Sequence, residues 1–599
     1  MCLMAGRRQR QDSSRRNGRI ITRKFFRYVV PMVMSTIAIS LNEFVDSILV
    51  SQLLGSDAMA MVGMGCPLML AFAVIYVMLG IGGSVLYAKN AGEQDLSQAG
   101  RSFTVTSVTA CAVAAVLTVS GLLLIRPLCG LLCRDSSLIP DFLPYLRILM
   151  IAGILIIPLQ VGIYFLSALG KPGLGMAVNL TANGVNLLMD YVYIRFLDTG
   201  LKGAAMATLT GYAAGLIIIL AAVLTGKLRL PFTRIGLKEF RKLPSALVRG
   251  VAPAANQLGY CIKISFCNTL ALTIAGISGL TVFSLCMQAV SIASIIIAGV
   301  IEAMVPILSS LQGQRDFNGI RILLRTVFRL QFIANLVLVV LMEIWPQFIL
   351  FIYNIPDMYT DDAVLALRIF SLMFVLRGFV LLFMYYFQIS NRKVYALLIS
   401  LADGLGIIPV VMVTTRIFGI TGLWIAFPLL SAVMLAAIIC VNLVIASRKG
   451  SRYHGMLLIE EESQRIPTFD ATVRLDSQSI SCISKDLQAF CESQMKDSTL
   501  PVLVAVAAEE MSVYSMTMKD LTSLDELDIL VKIFPKEILM DFRSIGRPFN
   551  IATAHQSGFS NALMLKRIAS SEEYAYIVGM NQTRIHIGRE RIKELTNET

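Results

Sequence analysis

Twelve apolar runs, each long enough to cross a bilayer, constrain this chain more than any other feature. They lie near 25–52, 60–88, 103–125, 142–168, 173–196, 203–225, 247–276, 280–308, 323–346, 364–389, 393–415 and 420–446. About 20 apolar residues span the hydrocarbon as a helix, because every backbone N–H and C=O must be satisfied within the segment. A chain of 599 residues that is 56% hydrophobic and 15% charged, with mean hydropathy +0.71, is far too apolar for a soluble protein of this size. The expected fold class is an all-α polytopic membrane protein with twelve transmembrane helices in two six-helix repeats, followed by a cytosolic α/β sandwich domain.

The charge is divided to match. Residues 452–599 carry a net −5 and residues 1–451 a net +18, so the basic excess belongs to the membrane part, where it sets topology and meets anionic lipid; no nucleic-acid partner is implied. Residues 1–24, with Arg7, Arg8, Arg10, Arg15, Arg16, Arg19, Arg23 and Lys24, read as a basic cytoplasmic arm, since the apolar run that follows is longer than a signal-peptide core. The linker 226–246 between the two lobes is also basic, as a cytoplasmic connection should be. An even helix count then places both termini in the cytoplasm of a bacterial inner membrane. The cysteines are scattered without metal-ligand spacing and the three histidines all lie in the tail, so no metal site is expected, and proton chemistry in the membrane must use carboxylates.

The membrane part repeats at about 221 residues. Gly92-Glu93-Gln94-Asp95 recurs as Gly313-Gln314-Arg315-Asp316, and Ser167-Ala168-Leu169-Gly170-Lys171 as Gln388-Ile389-Ser390-Asn391-Arg392. The repeat predicts an N-terminal lobe over 25–225 and a C-terminal lobe over 247–447, the parallel arrangement of a transporter whose two halves rock about a central cavity.

The fifth run carries Asn179, Asn183, Asn186 and Asp190, spaced by four, three and four, on one narrow helix face. Amides at such spacing also serve as glue between helices, but a carboxylate at that depth needs a cation, a proton or a buried partner. With Asn42, Glu43 and Asp46 on the first run, the N-terminal half gathers acids on its first and fifth runs, whereas the stretch matching Asp190 in the second half, 406–413, has none. The expected cation site is therefore in the N-terminal lobe. Lys263, on the seventh run, is read as snorkelling to an interface, as the partner of a carboxylate such as Glu302 or Asp403, or as a wall of an anion-binding cavity.

Asn42-Glu43-Phe44-Val45-Asp46 leading into 53–60, Asn186-Leu187-Leu188-Met189-Asp190, and Gly203-Ala204-Ala205-Met206-Ala207-Thr208 together resemble the multidrug and toxic compound extrusion (MATE) family of cation-coupled antiporters, over roughly residues 25–446. The resemblance implies that Asp46, Asn186, Asp190 and Thr208 handle a coupling proton or sodium ion; by their own placement Asn42, Glu43, Asn179, Asn183 and Lys263 are candidate cavity residues, Lys263 standing as a departure from the family pattern. The resemblance also implies a secondary transporter rather than an enzyme, exporting small organic solutes and requiring no cofactor. Tyr191 stands where many relatives have proline, which puts a kink there in doubt.

From about residue 455 the pattern changes to that of a separate α/β domain, with helices expected at 479–494 and 499–517 and strands near 527–533, 537–542 and 582–587. This tail resembles the ATP-binding domain of histidine kinases and anti-sigma-factor kinases (GHKL type), in a degraded form. Glu510 matches the polarising base, Tyr514 replaces the Mg²⁺-binding Asn, Ser544 replaces the adenine-reading Asp before Gly546, and the glycine-rich segment survives at Gly558 with a glycine missing. The resemblance implies a pseudo-ATPase that binds ATP weakly at most, regulating the membrane part or engaging a cytosolic regulatory protein. Two other readings stand beside export of drug-like solutes: a membrane sensor that controls a signalling tail, and a flippase for a lipid-linked or anionic substrate.

Overall fold

The computed structural model describes residues 14–133, 138–347, 350, 360–448, 453–460, 466–495, 499–517, 526–550 and 569–588. A short strand β1 (Ser14–Arg15) precedes α1 (Arg19–Leu54), α2 (Ser56–Gly92), α3 (Leu96–Leu123), α4 (Ile125–Leu132), α5 (Ile139–Ala168), α6 (Pro172–Tyr191) and α7 (Leu201–Leu224). The second half holds α8 (Leu243–Gly313), α9 (Phe317–Ile344), α10 (Thr360–Ser371), α11 (Met373–Ile389), α12 (Lys393–Leu405), α13 (Ile407–Phe418) and α14 (Ile420–Arg448). Among the described residues, ten helices are long and apolar enough to cross a membrane. That is fewer than the twelve expected, for two physical reasons. The polar face of α6 keeps it out of the ten, and α8 runs for 71 residues in one stretch, broken only where Gly276 takes a non-helical φ of 65°.

The breaks in the backbone follow the repeat. Gly55 turns the chain between α1 and α2 at φ 87°, and Gly276 interrupts α8 221 positions later; Gln94 and Arg315, and Gly170 and Asn391, pair at the same step, all with positive φ. Asp95 caps α3 through Gln98 N–H and Asp316 caps α9 through Gly319 N–H, each at 2.8 Å. Contacts repeat as well: the Tyr28 hydroxyl donates to the Ser167 carbonyl, and the Gln388 amide donates to the Arg249 carbonyl.

Glycines bring the halves together at one end. A Cβ on Gly92 would strike the Ser310 carbonyl, and one on Gly313 the Lys89 carbonyl, while Gly250 backs on to Met78 in the same way. Without side chains between them, α2 and α8 meet backbone to backbone, which is how helices gain contact area when lipid offers no hydrophobic drive. Gly313→Val is expected to force this seam apart at a cost of about 1–3 kcal/mol, the usual penalty for overpacking. In a cysteine-free background, a cysteine in place of the fully buried Ser310 would then gain maleimide reactivity.

The tail holds the expected helices as α15 (Ser477–Gln494) and α16 (Leu500–Thr517) and the expected strands as β5 (Glu526–Ile533), β6 (Glu537–Ile545) and β8 (Met580–Gly588), and adds β4 (Thr468–Arg474), β7 (Ser571–Ile577) and a small hairpin of β2 (Tyr453–His454) and β3 (Ile459–Glu460). It departs from that expectation in its independence. The sheet runs β1-β4-β5-β6-β8-β7, and its first strand, parallel to β4, comes from the N-terminal arm. Period-two alternation gives the sheet two faces. Leu527, Ile529, Val531, Ile538, Met540 and Phe542 pack with α15 and α16, while Asp470, Asp528, Asp541, Arg543, Gln582 and Arg584 face the turns of the helical bundle.

Arg16 is the centre of that contact. Its side chain is 1% exposed and reaches Asp316 at 2.8 Å, Asp528 at 2.9 Å and Asp470 at 3.6 Å, and Arg543 reaches Asp316 at 3.0 Å. Lys532 donates to the Gln314 and Arg315 carbonyls. On the other lobe, Lys24 donates to the Gly579 carbonyl at 3.0 Å and Arg584 to the Glu93 carbonyl at 3.5 Å. One domain thus holds the ends of both lobes where the glycine seam lies.

Three aspartates around two guanidiniums leave a negative excess. Burial lifts the Asp470 carboxyl to about 6 despite Arg16, with Asp316 and Asp528 adding to the rise. Asp316 is buried too, but Arg16 and Arg543 hold it well below the usual carboxylate range. The raised Asp470 strengthens docking below the free carboxyl pKa of about 4 and loses that contribution as pH rises through about 6; the depressed Asp316 contributes above about 4 and loses it on acidification. Docking is therefore expected to tighten from pH 7 to about 4 and loosen below. Hydrogen exchange at β5 amides in the full-length protein would follow it.

Candidate functional site

The N-lobe residues singled out in the sequence converge where α1 crosses α6. Asn42 donates to Asn186 Oδ1 at 2.8 Å, and Asn186 donates to Asp190 Oδ2 at 3.1 Å, so one amide links α1 to the carboxyl on α6. Asp190 is fully buried, with the Asp46 carboxyl within hydrogen-bonding reach of its own. Asp46 is the neighbouring carboxyl, and Glu43 lies one helical turn before it, in reach of Asp46. Two carboxyls this close do not both ionise cheaply in a medium of low dielectric; they share a proton, or jointly bind a cation with the amides around them.

The rest of the stripe divides. Asn179 donates to the Ser35 hydroxyl on α1, and Asn183 turns back to the Asn179 carbonyl at 2.8 Å; these two act as glue between and along helices. The Thr208 hydroxyl donates to the Ala204 carbonyl one turn back on α7. Its helix nonetheless borders the cluster, since Gly211 lies directly against Asn186. The helix does not kink at Tyr191; it continues and widens into a π-type turn over Val192–Phe196 directly after Asp190, an irregularity that recurs beside functional residues.

Between the lobes lies a cavity of about 890 Å³, extending from the middle of the bundle towards the Gly55 turn, away from the tail. Glu43, Ser47 and Ser51 line it from α1, Asn256, Tyr260 and Glu302 from α8, and Arg377 from α11. Of the N-lobe acids only Glu43 reaches it; Asp46 and Asp190 stand behind the wall. Glu302, considered in the sequence only as a partner for Lys263, is instead a cavity residue, in electrostatic range of Tyr76, Tyr164 and Tyr385. Its neighbourhood could not be found from the repeat, because no acid stands at the matching place in the first half.

Lys263 is not a wall of this cavity. It is 3% exposed and bonded to Asp403 at 3.1 Å, with Asn256 on the other carboxylate oxygen at 3.2 Å. The expectation of a buried carboxylate partner holds, with Asp403 and not Glu302 in that role.

In the tail, the Tyr514 ring is 2% exposed and packs on Phe549 with centroids 6.1 Å apart. Glu510 on the same helix has a buried Oε2 with no hydrogen-bond partner. Ser544 is buried on β6 opposite Asn581, and Gly546 follows the strand, its carbonyl accepting from the Tyr576 hydroxyl at 3.0 Å. Gly558 lies outside the described residues. No group of His, Cys, Asp and Glu among the described residues is arranged to hold a metal ion.

Comparison with known proteins bears on the membrane part. Residues 31–192, which contain the whole Asn42–Asp190 cluster, match the family model described as MatE. The multidrug export protein MepA of Staphylococcus haemolyticus is 20% identical over 463 residues, covering 74% of this chain and 97% of that protein. A multidrug resistance MATE family transporter of the MOP superfamily, in an outward-facing conformation, superposes with a TM-score of 0.67 at 21% identity, covering 72% of this chain and 97% of its own. A MOP superfamily transporter from Pyrococcus furiosus, described as having a binding pocket of reverse polarity, superposes with a TM-score of 0.63 at 21% identity over 71% of this chain and 96% of its own. The helical bundle has the fold of these transporters.

Proposed function

We infer that this chain is a MATE family secondary transporter, not an enzyme, and that it exports small organic, drug-like solutes in exchange for protons or sodium. The observation that carries this reading is the Asp46–Asp190 pair with its Asn186–Asn42 link, set behind Glu43 at the edge of a cavity between two lobes that are sealed at one end. In that geometry Glu43 meets the solute, and Asp46 and Asp190 hold the coupling ion. Loading of one site changes the charge felt at the other, which couples the two by competition for a single negative region. Counting the Gly276 break as a turn and α6 as a crossing gives twelve crossings, so both termini lie on the tail side, in the cytoplasm, with the cavity open outward in a bacterial inner membrane. No cofactor is needed for this cycle beyond the coupling ion.

The tail supports a second part of the proposal. Joined to the ends of both lobes, it holds the glycine seam shut and restrains opening towards the cytoplasm. With Tyr514 and Phe549 packed where a GHKL-type domain would coordinate Mg²⁺, it acts as a pseudo-ATPase whose partner, a cytosolic protein or weakly held ATP, releases it. Contact with both lobes would also suit a sensor whose bundle signals through the tail, and transport separates the two. The test is export of a fluorescent organic cation from vesicles under an imposed proton or sodium gradient. Gradient-driven export supports the transporter; its absence in folded protein under both gradients overturns it in favour of the sensor.

A further inference from the structure

Arg377 is the charged side chain that the export of simple cations leaves without a task. It lines the central cavity from α11, is 7% exposed, and its Nε is buried with no hydrogen-bond partner. Its nearest anion is already taken. Asp403 bonds Lys263 through Oδ1 at 3.1 Å and Asn256 through Oδ2 at 3.2 Å, whereas Arg377 comes only within 3.9 Å of Oδ2, beyond hydrogen-bond distance. Two cations thus share one carboxylate, and the guanidinium rests over the Tyr260 ring with its carbon 5.3 Å from the centroid. An arginine fork held by an aromatic face, buried and short of an anion, is built to receive one, because its planar N–H groups match the two oxygens of a carboxylate.

The same cavity presents Glu43 on α1 and Glu302 on α8, so its walls carry both signs. Building on the transporter reading, we propose that the solute is an organic zwitterion, its cationic group facing Glu43 and Glu302 and its carboxylate held by Arg377. A lone cation would leave the buried Arg377 fork without an anion, and a lone anion would leave the exposed Glu43 and half-buried Glu302 of the cavity without a counter-charge. Both charges on one molecule satisfy the cavity, which makes Arg377 a specificity-determining residue and Lys263 the residue that keeps Asp403 from neutralising it.

A matched pair of dyes tests this: one rhodamine with a free carboxylate, and the same rhodamine as its methyl ester, bound to the full-length protein in nanodiscs. The parent is expected to bind the free acid about tenfold more tightly than the ester, the scale of one charge-assisted contact. In Arg377→Gln the ratio of the two affinities falls to near one, while Arg377→Lys, which keeps the charge without the fork, retains part of it. The ratio makes each variant its own control for folding, and the Lys263–Asp403 pair remains neutral and intact in both. A parent that exports the ester under a gradient but shows no preference for the acid overturns this inference and leaves the transporter standing, as does an unchanged ratio in Arg377→Gln. A parent that binds neither dye and exports neither overturns both.

Discussion

Asp190→Asn is expected to remove essentially all gradient-driven export while leaving the fold intact. The replacement is nearly isosteric, and its amide oxygen can still accept from Asn186 Nδ2, which now sits 3.1 Å from Asp190 Oδ2. What it loses is the ability to take up and release a proton or to balance a cation at a fully buried position. Asp46→Asn should behave in the same way, because either change leaves the remaining carboxyl without the neighbour that makes the pair's charge state switchable. Glu43→Gln should differ: its side chain lines the cavity, so solute affinity is expected to fall more than coupling. Uptake of a dye into inverted vesicles, with the imposed gradient varied at fixed dye concentration, separates these outcomes. Full gradient dependence retained in Asp190→Asn would remove the coupling site from α6.

Arg16→Ala is expected to release the tail. The substitution strips the guanidinium from Asp316, Asp470 and Asp528, which all lie within 3.6 Å of it, and leaves three buried carboxylates with Arg543 as the nearest cation. Breaking a buried ion pair from one side costs about 3–5 kcal/mol, enough to shift docking by roughly two to nearly four orders of magnitude. The strand pairing of Ser14 and Arg15 with Asp470 and Ala471 should be lost with it. Hydrogen exchange would report this as deprotection of β4 and β5 with the transmembrane amides unchanged. If the tail restrains the seam at Gly92 and Gly313, the released protein should also turn over faster. Undocking without a change in turnover would keep the structural role of Arg16 and refute regulation by the tail.

Much of this architecture was legible in the sequence, because it is local. Apolar runs specify helices wherever water is excluded, and the spacing of Asn179, Asn183, Asn186 and Asp190 specifies a helix face by periodicity alone. The 221-residue repeat appears again as paired positive-φ breaks at Gly55 and Gly276 and at Gln94 and Arg315. The tail strands were readable because period-two alternation is also local. Residue patterns fell short where two distant faces had to be matched. That Asn179 and Asn183 are packing contacts while Asn186 and Asp190 form a site depends on which side chains of α1 stand opposite.

Only the tertiary structure decided the rest. Periodicity says that Lys263, Glu302, Arg377 and Asp403 sit on helices, but not that Lys263 would take Asp403, about 140 positions away, leave Arg377 under-paired, and leave Glu302 facing the cavity. Nor does composition say that an N-terminal arginine, in an arm that reads as a lipid-facing basic stretch, would close a sheet more than 450 residues downstream. Long-range charge pairing depends on the burial and mutual orientation of whole elements, and the sequence carries those only through the packing they jointly produce.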